Sequence, residues 1–229
     1  RSMKIKMLAF VGMSVAILFA ACGDNLTDPA IERNYPGTGT GTLDIRADVD
    51  AFDEAGGFFT EFSVQVRDGI GEPVTGGTVT ITNTGFGEVT LLDPDGVGNY
   101  VAERNTFHEG DFALRVVSGT DVVEGVVLGG PGIHTITEPI ADSTVAADQD
   151  LTVRWDVPSQ ARSAEVGTKD HGPVLLPDTG AVIIPAASNP ARVQRIRVFR
   201  FNEVDIAGGL FGSRMRVEVR QSVDPLIVE

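Results

Sequence analysis

Apolar residues in this chain recur at every second position, in short runs closed off by glycine. Leu43, Ile45, Ala47 and Val49 share one parity, and Asp44, Arg46, Asp48 and Asp50 share the other. Successive side chains of a strand point to opposite faces, so such a run reads as a half-buried strand. Phe62, Val64 and Val66 repeat the pattern against Glu61, Ser63, Gln65 and Arg67. Residues 78–82 are a β-branched run, and further strands are expected at 87–92, 98–103, 110–117 and 121–128. A turn cluster around Glu72-Pro73-Val74 separates two of these runs. After residue 21 no segment carries a stripe of period 3.6. Short strands at this spacing, punctuated by glycine turns, predict an all-β fold of two tandem antiparallel β-sandwich domains.

The sequence Gly129-Gly130-Pro131-Gly132 marks the expected boundary, dividing a first sandwich at 43–135 from a second at 136–229. In the second, Leu151, Val153 and Trp155 share a face, which makes the only tryptophan a core residue. Later strands are expected at 179–185, 193–201 and 213–219. Residues 158–177 show no clear strand pattern.

The N-terminus has a different character. Lys4 and Lys6 precede an apolar run from Met7 to Ala21, and small residues lead into Cys22, the only cysteine. A charged region, an apolar region and a small-residue cleavage site make a secretory signal. About fifteen apolar residues fall short of the roughly twenty that a membrane span needs. The stretch Phe19-Ala20-Ala21-Cys22 resembles the lipobox of bacterial lipoproteins, with phenylalanine where leucine is usual. The resemblance implies a signal peptide at 1–21, cleavage before Cys22, and a covalent diacylglycerol on its thiol. It also implies a lipid-anchored place in the bacterial cell envelope. Gly23, in place of an aspartate that retains such proteins in the inner membrane, points to the outer membrane. Residues 22–42, rich in glycine, threonine and proline, read as a flexible tether after the lipidated cysteine.

A second resemblance lies in the first sandwich. Val64-Gln65-Val66-Arg67-Asp68-Gly69-Ile70-Gly71-Glu72-Pro73-Val74 runs on through Thr75-Gly76-Gly77-Thr78-Val79. It resembles a line shared by invasin-type bacterial Ig-like repeats and carboxypeptidase regulatory-like domains. Asp93-Pro94-Asp95-Gly96 followed by Tyr100-Val101-Ala102 is similar to a later motif of the same domains. The Trp155 strand resembles an early strand of fibronectin type III-like modules. These likenesses imply that both antiparallel β-sandwich domains are Ig-like, of a kind used mostly as spacers, adhesion units or appendages; fold does not carry function with it.

Charge narrows the partners. Lys and Arg number 18 against 32 Asp and Glu, a net charge of −14, so a nucleic-acid partner is not expected. Three of the cations, Arg1, Lys4 and Lys6, fall in the signal, which leaves the remainder more acidic still. Positive charge gathers near the C-terminus instead. Arg195 and Arg197 share one parity of a strand, and Arg214, Arg216 and Arg220 share one parity of the next. A hairpin would put all five on one surface, where the planar guanidinium suits carboxylates and phosphates. The expected ligands are an anionic glycan, a lipid headgroup or the acidic first sandwich. Like charges side by side on a sheet slightly favour a partner, and the alternative is a solvated face relieved by Glu218 and chloride.

Catalytic signals are poor. His108, His134 and His171 stand far apart, and no nucleophile elbow or phosphate-binding glycine loop occurs in the mature chain. Asp93, Asp95 and Asn99 form a weak candidate for a calcium loop, but the twelfth position is Arg104 where a glutamate would close it. A turn using Asp, Pro and Gly for their backbone preferences is the simpler reading. No metal, no other cofactor and no catalytic residue are expected. The expectation is a membrane-anchored, non-catalytic structural, adhesion or assembly module that contacts an envelope protein or glycan. Two alternatives stay open: an accessory subunit of an envelope transport or secretion complex, and a hydrolase or carbohydrate-active enzyme with an unrecognised site.

Overall fold

The computed structural model describes residues 34–54, 57–159 and 161–228. The expected signal peptide and Cys22 lie outside the described residues. Among those residues the regular structure is seventeen strands and one 3-10 turn, Ala186–Ser188.

The alternating runs form the strands they predict. β1 (Tyr35–Gly39) is followed by β2 (Asp44–Glu54), β3 (Gly57–Arg67), β4 (Thr78–Asn83) and β5 (Gly87–Leu91). Next come β6 (Asn99–Arg104), β7 (Asp111–Ser118) and β8 (Asp121–Gly129). β1, β8, β7, β4 and β5 make a five-stranded sheet. It packs on β2, β3 and β6, burying Ile45, Val49, Phe62 and Val64 against Ile81, Phe112, Leu114 and Leu128. The loop that carries the Ig-like motif is closed by its own aspartate: Asp68 Oδ1 accepts the Ile70 and Glu72 amides, both at 2.9 Å. Tyr100 of the second motif is buried, accepts from the Gly77 amide and donates to the Val74 carbonyl, both at 2.9 Å.

The second half supplies β9 (Ile136–Glu138), β10 (Thr144–Ala146), β11 (Leu151–Trp155), β12 (Ser163–Gly167), β13 (Val174–Pro177) and β14 (Ala181–Ile184). It ends with β15 (Ile196–Asp205), β16 (Arg214–Val223) and β17 (Leu226–Val228). β12 and β13 occupy the segment in which no strand pattern is visible. A second core collects Ile136, Leu151, Val153 and Trp155 against Ala164, Val166, Ile196 and Val198.

Two cores exist, yet the division at residue 135 does not separate the backbone pairing. β16 pairs in parallel with β2, from Arg214 opposite Arg46 to Arg220 opposite Phe52. The result is one seven-stranded sheet, ordered β13-β12-β15-β16-β2-β3-β6, that runs through both sandwiches. The same strands serve both cores. Met215, Val217 and Val219 of β16 lie in the first core, and Ile196 and Val198 of β15 lie in the second. The connecting glycines are packed between them: a Cβ on Gly130 would meet Phe112 Cε2 at 2.9 Å and Val217 Cγ1 at 3.3 Å.

The flexible stretch expected at 22–42 also ends earlier than its composition implies, because Tyr35–Gly39 forms β1 on the edge of β8. Apolar side chains are not what binds it. Glycine lets its backbone come close to the β15–β16 turn, where the Gly41 amide donates to Gly208 O at 3.0 Å and the Ala207 amide to Pro36 O at 2.9 Å. A Cβ on Gly208 would lie 2.2 Å from the Thr38 carbonyl carbon.

Candidate binding surface

β15 and β16 pair along their whole length, from Ile196 opposite Val223 to Asp205 opposite Arg214. The hairpin therefore forms, and the parity of its residues sends the five arginines to the outer face of the seven-stranded sheet. The structure divides them into two groups.

Arg214, Arg216 and Arg220 are held within the sheet itself. Arg214 pairs with Glu203 on β15 and lies 3.9 Å from Asp48 on β2. Arg216 pairs with Glu218 and lies 3.7 Å from Glu165 on β12, with its guanidinium carbon 3.6 Å from the centre of the Phe201 ring. Arg220 lies 3.4 Å from Glu218 and sits over Phe199 at 4.7 Å and Phe52 at 5.8 Å. Cation–π contacts of this kind are attractive where water is partly excluded. Of the three, Arg214 alone comes within ion-pair reach of the first sandwich, at Asp48; Arg216 and Arg220 are engaged within the second half by Glu218, and Arg216 also lies near Glu165. Acids interleaved with these arginines relieve their mutual repulsion without an outside partner.

That interleaving is costly for the acids. Glu61, Asp50 and Glu218 face one another across β3, β2 and β16. Burial, with Glu218 and Asp48 adding to it, pushes the Asp50 carboxyl up to about 6. Burial also raises Asp48, against the pull of Arg214 and Arg216.

Arg195 and Arg197 lie apart from this ladder, beyond Arg220 on the same face. Arg195 donates through Nε and Nη2 to the two Asp224 oxygens at 2.9 and 2.8 Å. Its guanidinium holds Asp224 below the ordinary carboxylate value. Arg197 is exposed. Both line a pocket of about 620 Å³ with Thr168, Lys169, Val193 and Asp224. A second concavity, of about 530 Å³, lies beside the outer face and is lined by Arg162, Leu175, Phe201 and Glu203 among others.

The weak calcium candidate is taken up by backbone. Asp93 Oδ1 accepts the Val97 amide at 3.1 Å and Oδ2 the Gly98 amide at 2.9 Å, while Asn99 Oδ1 accepts from Ser63 at 3.3 Å. No cluster of three His, Cys, Asp or Glu side chains able to hold a metal is found among the described residues.

One charged group escaped the sequence reading. Arg200 shares the parity of Ile196 and Val198 and so points inward, where it is fully buried. It donates to Asp178 at 2.6 and 2.9 Å, to the Gly132 carbonyl at 3.1 Å and to the Ser159 carbonyl. Asp178 in turn accepts Trp155 Nε1 at 2.9 Å. Asn202, next on that face, donates to the Gly129 carbonyl at 2.8 Å. His134 is buried at the same junction, and burial, with Arg200 next in weight, lowers it to about 4. The parity of β15 alone signals an inward arginine; Asp178, in a loop, has no such signal.

No protein-family model matches the chain, and no curated protein matches it. Among solved structures it aligns with the fibronectin(III)-like modules of Clostridium thermocellum CbhA at 14% identity. That alignment covers 81% of this chain and 94% of the other, with a TM-score of 0.31. DIP-gamma IG1+IG2 aligns at 10% identity over 81% of this chain and 98% of that one, with a TM-score of 0.25. The Yersinia pseudotuberculosis adhesin InvE aligns at 15% identity over 82% of this chain and 61% of that one, also with a TM-score of 0.25. At such TM-scores the alignments carry no argument, and the all-β sandwich fold rests on the strand order and cores described above.

Proposed function

We propose that the protein is a non-catalytic structural or adhesion head, tethered to a bacterial outer membrane through a lipidated Cys22 and contacting an envelope protein or glycan. The observation that carries this reading is the parallel pairing of β16 with β2, which ties the two sandwiches through one sheet. A head tied in this way transmits load and orientation between its ends, as a spacer or adhesion unit must. The placement of the perturbed groups agrees with a non-catalytic role. Shifted pKa values gather at active sites when they line a cleft. Asp48 and Asp50 here belong to a sheet face and His134 to the buried junction, outside both concavities. The shifted pair that does line one, Asp224 with Arg195, is shifted by the bidentate bond each makes to the other.

The test is a crosslink and pull-down from native envelopes, comparing the unaltered chain with Cys22→Ser. The expected outcome is membrane fractionation and a specific envelope partner, both lost in Cys22→Ser. Fractionation unchanged by the substitution, with no partner recovered, would overturn the reading.

A further inference from the structure

We propose that the pocket between the β12–β13 turn and the open end of the β15–β16 hairpin binds a small phosphate monoester. The site goes beyond the structural reading above and stands whether or not Cys22 carries a lipid. Its floor is fixed by local hydrogen bonds. The Thr168 amide donates to the His171 carbonyl at 2.8 Å and closes the turn that holds Lys169. Thr168 Oγ1 accepts the amides of Asp170 at 3.2 Å and His171 at 2.9 Å, which leaves its own proton to donate. Arg195 is oriented by its two bonds to Asp224, and its Nη1 is not used in them. Arg197 is exposed and acts on the same Asp224 carboxylate, and Lys169, also exposed, is the only lysine among the described residues.

Charge selects the ligand class. Lys169, Arg195 and Arg197 face one carboxylate, Asp224, so two positive charges in the pocket are uncompensated. The nearby Asp170 is already engaged by Arg192 and Gln194. A phosphate monoester carries about −1.5 to −2 at neutral pH and matches that excess, whereas a carboxylate supplies half of it. Arginine forks and a hydroxyl donor suit the phosphate oxygens. The volume, about 620 Å³, fits a ligand of sugar-phosphate or headgroup size. Val193 is the one apolar residue of the lining, so recognition falls on the anion and not on an apolar body. In a chain of net charge −14, a concentration of cations in one pocket is a local exception to the field that repels anions elsewhere.

The experiment is calorimetric titration of the full chain with three probes. They are glucose 6-phosphate, dihexanoyl phosphatidate below its micelle concentration, and glucuronate as the carboxylate control. The expected result is saturable binding of at least one phosphate probe, with glucuronate weaker by about ten-fold or more. The tighter of the two phosphate probes identifies the source as a sugar phosphate or a lipid headgroup, and either order supports the site. Arg197→Gln and Lys169→Gln, both surface changes, each weaken binding by about ten-fold, the loss of one charged hydrogen bond. Arg214→Gln, on the same face but paired elsewhere, leaves affinity unchanged. No saturable binding of either phosphate probe, equal binding of glucuronate, or equal loss with Arg214→Gln overturns the proposal.

Discussion

On β15 the residues that face inward read Ile196, Val198, Arg200, Asn202 and Val204, two apolar ends with a polar middle. The ends enter the two cores, and the middle meets the chain where it crosses from one sandwich to the other. Removing one partner of a buried ion pair strands the other charge, which costs about 3–5 kcal/mol. Arg200→Met is accordingly expected to lose about that much in urea unfolding, because Asp178 is buried with it. A loss below about 1 kcal/mol would contradict the assignment. Titration gives a second residue-level prediction. Asp50 is raised from 3.8 to about 6, so its burial lowers stability progressively as pH climbs through that range. His134 is lowered from 6.5 to about 4, so its burial raises stability as pH climbs from about 4 to 6.5. The two slopes oppose each other across nearly the same window. Asp50→Asn removes the first, so the variant should be more stable than the parent at pH 8 and equal to it below pH 4. Its stability should also rise between pH 4 and 6.5. A flat profile in Asp50→Asn would show that His134 is not buried as a neutral ring.

Strands differ in how much of their placement is written in apolar pattern. β2 and β3 are legible because Ile45, Val49, Phe62 and Val64 alternate with polar neighbours, and their inner faces are the ones buried. The hairpin and the outward side of its arginines are legible by the same parity. β1 is not, because its pairing rests on backbone and on glycines that permit close approach. β12 and β13 are also hidden: β12 is a short strand, Ser-Ala-Glu-Val-Gly, and β13 is an edge that leaves Val174 and Leu175 exposed. Glu218, two residues from Arg216 and Arg220 on β16, is a local partner visible in the sequence. Asp48, Glu165 and Glu203 come instead from β2, β12 and β15, and long-range pairing of this kind leaves no local trace. The glycine contact at the hairpin turn supplies the test at this scale. Gly208→Ala places a methyl where the Thr38 carbonyl carbon lies 2.2 Å away, so β1 must move off the turn. The expected cost is about 1–3 kcal/mol. Hydrogen exchange should show protection lost at the Gly41 and Ala207 amides and retained in β4 and β7. Unchanged exchange at those two amides would mean that the turn does not clasp β1.

At the scale of the whole molecule, one sheet is shared by two cores. A fragment ending at residue 135 lacks Met215, Val217 and Val219, which close the first core, and leaves β2 without its parallel neighbour. Such a fragment should fail to unfold cooperatively as a monomer, as read by circular dichroism, because it exposes an apolar edge that invites aggregation. A cooperative, monomeric fragment would restore the view of two independent sandwiches. The most direct test uses the intact chain. Trp155 is the only tryptophan and sits in the second core, so its fluorescence reports that core alone. Amide exchange in β2 and β3 reports the first. Followed together through a denaturant series, the two signals should share one midpoint, since opening either core breaks the β15–β16 hairpin that both contain. Two separated midpoints, with one sandwich melting while the other stays intact, would contradict the shared sheet.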